Sequence, residues 1–159
     1  MPSVALILAL LVAVGEPDSP PTIVEFPGGH TSVDSKGDVD HVIVQDAKGN
    51  ILSESWCDSG RFSEYFALFA KFKDALARGN RDAALRLFDY PFRVNGGTKP
   101  RVFKTASSLS KGYAKVFTPG VLEKIGKAEP AAVFCRDGQA MLGDGIAWAN
   151  PTGIAILNP

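Results

Sequence analysis

The chain predicts an α+β fold in which helices pack on a curved, twisted antiparallel sheet. Three observations carry this expectation. Apolar and aromatic residues recur at steps of three and four through "SGRFSEYFALFAKFKDALARG", residues 59–79. Short apolar runs separated by turn residues follow one another after residue 130. Residues 22–56 alternate weakly around glycine-containing turn signals. Helices grouped ahead of a run of strands give the element order of an α+β domain.

The N-terminus comes first. "VALILALLVAV", residues 4–14, has no polar side chain. It is shorter than the roughly 20 residues that span a bilayer. It reads as the core of a secretory signal, with Ala13 and Gly15 as the small residues before a cleavage at Glu16. No Lys or Arg precedes the run, so only the α-amino group supplies positive charge. An uncleaved anchor and a buried element of the mature fold are the alternatives. No cysteine near residue 15 points to a lipid anchor. The expected organisation is a signal over 1–15, a linker "EPDSPP" over 16–21, a β-rich extension over 22–56 and an α+β domain over 57–159. That places the protein in the periplasm or outside the cell, with no stable membrane insertion once the signal is cleaved.

The totals exclude some partners. Lys plus Arg is 17 and Asp plus Glu is 17, so the formal net charge is zero. Nothing pulls the whole molecule toward nucleic acid or anionic lipid. At 159 residues there is enough chain for one domain with a real core. The two cysteines, Cys57 and Cys135, suggest a disulfide in an exported chain. Two separately buried thiols are the other reading. Neither cysteine has a CxxC partner and the only histidines are His30 and His41, so no metal site is expected. No cofactor motif is present.

In the extension, "TIVEF" ends at Pro27-Gly28-Gly29. "HVIVQDAKGNILSES" predicts a hairpin about "DAKGN". "DSKGDVDH" gathers Asp34, Asp38, Asp40 and His41. A cation site is conceivable there, but the spacing does not match a calcium loop, and a solvated loop is expected.

The long helix carries Phe62, Tyr65, Phe66, Phe69, Phe72 and Leu76, read as core rather than as an aromatic ligand box. Asp58 or Ser59 is the candidate cap and Gly79 the stop. A short helix capped by Asn80 follows, with Leu85, Leu87 and Phe88 as apolar contacts, and Pro91 ends it. "FRVN" predicts a short strand and "GGTKPR" a loop. One more helix starts near Thr105, with Leu109, Tyr113, Val116 and Phe117 on one face. The next has Thr118 as cap and Pro119 as its first residue, with Val121, Leu122 and Ile125 apolar. The last thirty or so residues predict a β meander. Its turns fall at Asp137-Gly138, at Asp144-Gly145 and at "PTG".

"YFALFAKFKDALARGNRDAALRLFDYPFRVN", "FTPGVLEKI", "AMLGDGIAWAN" and "IAILN" occur in this order. Over roughly residues 60–157 the chain resembles small exported bacterial proteins of the nuclear transport factor 2-like, cystatin-like fold. The resemblance implies a bent sheet wrapped as a cone around the long helix, with a pocket at its open end. The segment 22–56 lies outside the match, as an added hairpin or a strand on the sheet edge. That fold hosts isomerases, dehydratases and cyclases as well as binding modules, so it does not give function.

Its enzymes need a base and an oxyanion donor in the cone. This chain has no histidine after residue 41, and Asp89, Asp137 and Asp144 are the remaining carboxylates considered. Asp137 and Asp144 each precede glycine, which suits turns better than catalysis. No G-x-S-x-G, phosphate loop or zinc spacing occurs. The expected function is non-enzymatic binding of a small apolar or anionic ligand, or of a protein. Arg93 and Asn95 share one strand face, and Tyr65, Tyr113 and Trp148 are candidate walls. A cone-pocket enzyme with a carboxylate base is one alternative. An envelope interaction or inhibitor protein, as a homodimer through the outer sheet face, is the other.

Overall fold

A computed structural model of the chain describes residues 20–159. The predicted signal and most of the linker lie outside those residues. The described chain is α+β, with two sheets and four helices.

The first sheet is an antiparallel meander of β1 (Thr22–Phe26), β2 (Gly29–Lys36), β3 (Val39–Asp46) and β4 (Ile51–Asp58). The expected hairpin at "DAKGN" is the β3–β4 turn, where Asp46 Oδ1 accepts from Lys48 N at 2.8 Å and from Asn50 N at 2.9 Å. The segment 22–56, expected as an added hairpin or a strand on the sheet edge, is instead a four-stranded sheet. "DSKGDVDH" is not a solvated loop either. Gly37, at φ 58°, reverses β2 directly into β3, a conformation that costs glycine nothing. Period-two alternation then splits the polar cluster between two faces. Asp40 points inward at 3% exposure and accepts from Ser35 Oγ at 2.7 Å. Asp34 and His41, which pair with each other across β2 and β3, lie on the opposite face.

α1 (Arg61–Ala77) buries Phe62, Tyr65, Phe69, Phe72, Ala75 and Leu76, as its periodicity predicts. Neither Asp58 nor Ser59 caps it. Its N-cap is Gly60, without a side-chain bond, and Asp40 of β3 accepts from Phe62 N at 3.4 Å instead. Gly79 closes the helix at φ 63°.

Asn80 caps α2 (Arg81–Leu85) by accepting from Ala83 N at 3.1 Å. The helix stops well before Pro91. Leu87 and Phe88, expected as helix contacts, belong instead to the entry and start of β5 (Phe88–Val94). The cause is tertiary. β5 pairs on one side with β6 (Arg101–Phe103), which begins at the last residue of the segment expected as loop, and on the other with β10 (Gly153–Leu157). Ile154 N donates to Leu87 O at 2.8 Å. Gly153 permits this approach, since a Cβ there would lie 2.7 Å from Leu87 O.

α3 (Ala106–Val116) opens with a capping box between Thr105 and Ser108, and α4 (Pro119–Lys127) is capped by Thr118. β7 (Phe134–Arg136), β8 (Gln139–Leu142), β9 (Ala147–Asn150) and β10 form the predicted meander. The second sheet has the order β6-β5-β10-β9-β8-β7. It is mixed rather than antiparallel, because β10 runs parallel to β5. The long connection through α3, α4 and the meander frees that pair from the reversal a hairpin imposes.

Phe88, Phe92, Val94, Leu142, Ile154 and Leu157 face inward and share one core with α1. Aromatic rings fill its centre: Phe72 meets Phe88 edge-on at 5.6 Å, and Phe88 lies 4.4 Å from Phe92. The small sheet joins the same core through Val33, Val42 and Cys57. Its outermost strand β4 lies beside β7. There Cys57 and Cys135 form a disulfide with Cα atoms 5.2 Å apart, and Cys135 N donates to Ser55 Oγ at 3.0 Å.

Candidate functional site

The residues expected to line a pocket do not converge on one. Arg93 is exposed on β5, opposite the buried Phe92 and Val94. Its Nε donates to Asn95 Oδ1 at 2.6 Å, and Asn95 Nδ2 donates to Asn158 Oδ1 at 2.8 Å. Asn158 Nδ2 in turn donates to Gly145 O at 2.6 Å. This polar chain ties the end of β10 to the β8–β9 turn. Arg93 and Asn95 thus serve the sheet's outer rim rather than its interior.

Tyr65 is buried on α1 and donates to Gly138 O at 2.8 Å, holding the β7–β8 turn. Tyr113 is half-buried on α3, 4.6 Å from Phe117, with the Arg81 guanidinium 5.0 Å from its ring. Burial pushes both phenols above the ordinary tyrosine range. Trp148 stands on the outer face of β9.

A cleft of about 570 Å³ lies between the end of α4 and the β8–β9 turn, lined by Lys124, Lys127, Glu129, Asp144, Ile146 and Asn158 among others. None of the five predicted ligand residues lines it. The enzyme alternative predicts a buried carboxylate facing a cavity with a tyrosine hydroxyl within hydrogen-bond reach. Asp144 is at this cleft, and no tyrosine is. Asp89 is half-buried and accepts from Asn150 Nδ2 at 2.5 Å, which accounts for it as a strand-to-strand tie. Asp137 is the exposed turn residue at φ 52°. Among the described residues no group of three or more His, Cys, Asp or Glu is placed to hold a metal ion.

The feature that does assemble is on the outer face of the six-stranded sheet. Cross-strand register sets Val102, Arg93, Ile156, Trp148, Met141 and Phe134 in one row across all six strands. Val102 is 56% exposed, and Ile156, Trp148, Met141 and Phe134 are each partly exposed. Gly145 lies against the row, since a Cβ there would come 3.6 Å from Met141 Sδ and 3.7 Å from Trp148 Nε1.

Of these six, sequence reasoning singled out only Arg93 and Trp148. The missed signal is in the strands themselves. "AML", "IAWA" and "IAIL" are apolar at successive positions, where a sheet with one watered face alternates. Comparison with protein-family models, curated proteins and solved structures gave no match to this chain.

Proposed function

We propose that the chain is an exported, non-enzymatic protein-binding domain built on a nuclear transport factor 2-like cone. Its contact surface is the outer face of the six-stranded sheet, and its partner there is a second copy of the chain. The row from Val102 to Phe134 carries this reading. Contiguous apolar surface of this kind marks contact sites. Tryptophan and arginine are the residue types that most often dominate such contacts.

Charge favours a second copy over a strongly charged partner. The chain carries 17 basic and 17 acidic residues. Arg93, the row's one charged residue, is already bonded to Asn95. A twofold contact through this face sets no block of like charge against itself. The filled aromatic core favours surface contact over an enclosed ligand. Export is supported by the apolar run at 4–14 and by the Cys57–Cys135 disulfide, a bond that persists in oxidising compartments. No described helix is long and apolar enough to cross a membrane.

Sedimentation velocity of the purified chain tests the reading. The expected result is a dimer that Ile156→Glu converts to a monomer with an unchanged circular dichroism spectrum. A wild-type monomer throughout the micromolar range overturns it and leaves the face to a different protein. The small-ligand reading has one observation in its favour, the cleft beside α4, whose size suits a small molecule. A thermal-shift screen with small apolar and anionic compounds tests that version.

A further inference from the structure

The small sheet has its own outer face, which the contact proposed above does not use. Asp34, His41 and Trp56 lie opposite one another across β2, β3 and β4. Ser32, Ile43 and Glu54 form the next row on the same face. Trp56 is 57% exposed. An indole left this far in water is unusual, because tryptophan is highly buried on average.

The ring is nonetheless held. His41 stacks on it with centroids 4.9 Å apart and planes 10° from parallel. The imidazole is fixed in turn by Glu54, whose Oε1 lies 2.7 Å from His41 Nε2. One face of the indole is covered and its orientation set, so little freedom is lost when something meets its remaining surface. Glu54 and Asp58 flank Trp56 on the same face of β4, and with the His41 ring beside it they can exchange hydrogen bonds with a polar ligand.

We propose that this face binds a neutral sugar chain of flat, β-linked pyranose rings, with Trp56 as its stacking platform. A pyranose has an apolar C–H face and a rim of hydroxyls that both donate and accept. The C–H face lies on the indole, and the hydroxyls reach Glu54 and Asp58, which flank Trp56 along the exposed face of β4. Other ligand classes fit less well. A protein hot spot is an aromatic ringed by groups that exclude water, whereas the carboxylates of Glu54 and Asp58 flank this one along β4. An anion is repelled by the two carboxylates. A quaternary cation needs several aromatic walls, and here there is one indole beside an imidazole. The site is an open sheet face rather than a cleft. An extended, ribbon-like chain can lie flat along it, while a helically wound α-linked chain cannot.

Isothermal titration of the full purified chain with cellotetraose, chitotetraose and maltotetraose tests the inference. The expected result is saturable binding of at least one β-linked sugar and weaker binding of maltotetraose. Trp56→Ala weakens the β-linked sugar about tenfold or more. Trp56→Tyr keeps an aromatic face and most of the affinity, which separates loss of the platform from misfolding. No saturable binding of either β-linked sugar at millimolar concentration overturns the proposal. So does Trp56→Ala binding as tightly as the wild type, or maltotetraose binding as tightly as the β-linked sugars. The sugar test reads Trp56 on β4 and the dimer test reads Ile156 on β10, so either can fail without the other.

Discussion

The two sheets reach the same core by different means. The six-stranded sheet meets α1 through large apolar side chains, with Phe69, Phe72 and Phe92 at 0% exposure. The four-stranded sheet offers a thinner inner face, on which valines alternate with Thr31, Asp40 and Ser55. Its polar groups are bonded specifically into the larger part. Thr31 Oγ1 donates to Ala131 O at 2.7 Å, Asp40 accepts from Phe62 N, and Ser55 accepts from Cys135 N. Bulk burial holds the first region together, whereas directional bonds and one disulfide position the second. Burial tolerates small shifts in geometry, and hydrogen bonds do not. The small sheet is therefore the part whose attachment depends on a few named atoms.

The largest expected effect is in the aromatic centre. Phe72→Ala removes a ring that meets both Phe88 and Phe117. Truncation of a buried phenylalanine destabilises by about 3–5 kcal/mol. Urea denaturation followed by far-ultraviolet circular dichroism should show this as a lower midpoint at an unchanged slope. A loss below about 1 kcal/mol means that the core repacks around the gap, and the contrast with the small sheet fails.

The disulfide comes next. Cys57 and Cys135 are separated by 78 residues in sequence. Disulfides typically contribute roughly 2–4 kcal/mol to stability. Cys57→Ala with Cys135→Ala should loosen the small sheet first, since β4 meets β7 through this bond. Hydrogen exchange should show β2, β3 and β4 amides losing protection while those of α1 keep theirs. Equal loss in α1 shows that the two regions open as one unit and removes the distinction.

The same contrast explains what could be read from the sequence. α1 was legible because Phe62, Tyr65, Phe69, Phe72 and Leu76 follow one local period. Thr105, Thr118 and Asn80 cap their helices through bonds that span three residues. Asp137-Gly138 turns its hairpin as such pairs do. Features made by distant residues were not legible. The end of α2 depends on β10, far along the chain, pairing with β5. The start of α1 depends on Asp40, which looks like a loop acid until β3 is in place. The candidate surfaces are the extreme case. Trp148 and Arg93 were visible singly, but their row exists only through the register of six strands. The exposed Trp56 gave no signal at all, because which face of β4 meets the core depends on where β7 lies.

The smallest effect lies at the β3–β4 turn, where the small sheet does follow a local rule. Asp46 accepts from the Lys48 amide and from both the amide and the side chain of Asn50. The Asn50 side-chain bond leads in holding its carboxyl below the ordinary carboxylate range. With the folded pKa lowered, the ionised form contributes its full stabilisation above the unfolded value, and this is lost as pH falls through the folded one. Asp46 is fully exposed, so the change should be confined to the turn. The Lys48 and Asn50 amide resonances should move together on acidification, with a midpoint below that of an unpaired aspartate. Asp46→Asn should abolish the step. A midpoint at the ordinary aspartate value shows that the three bonds do not favour the ionised form. The turn would then owe its shape to Gly49, whose φ is 82°, and not to Asp46.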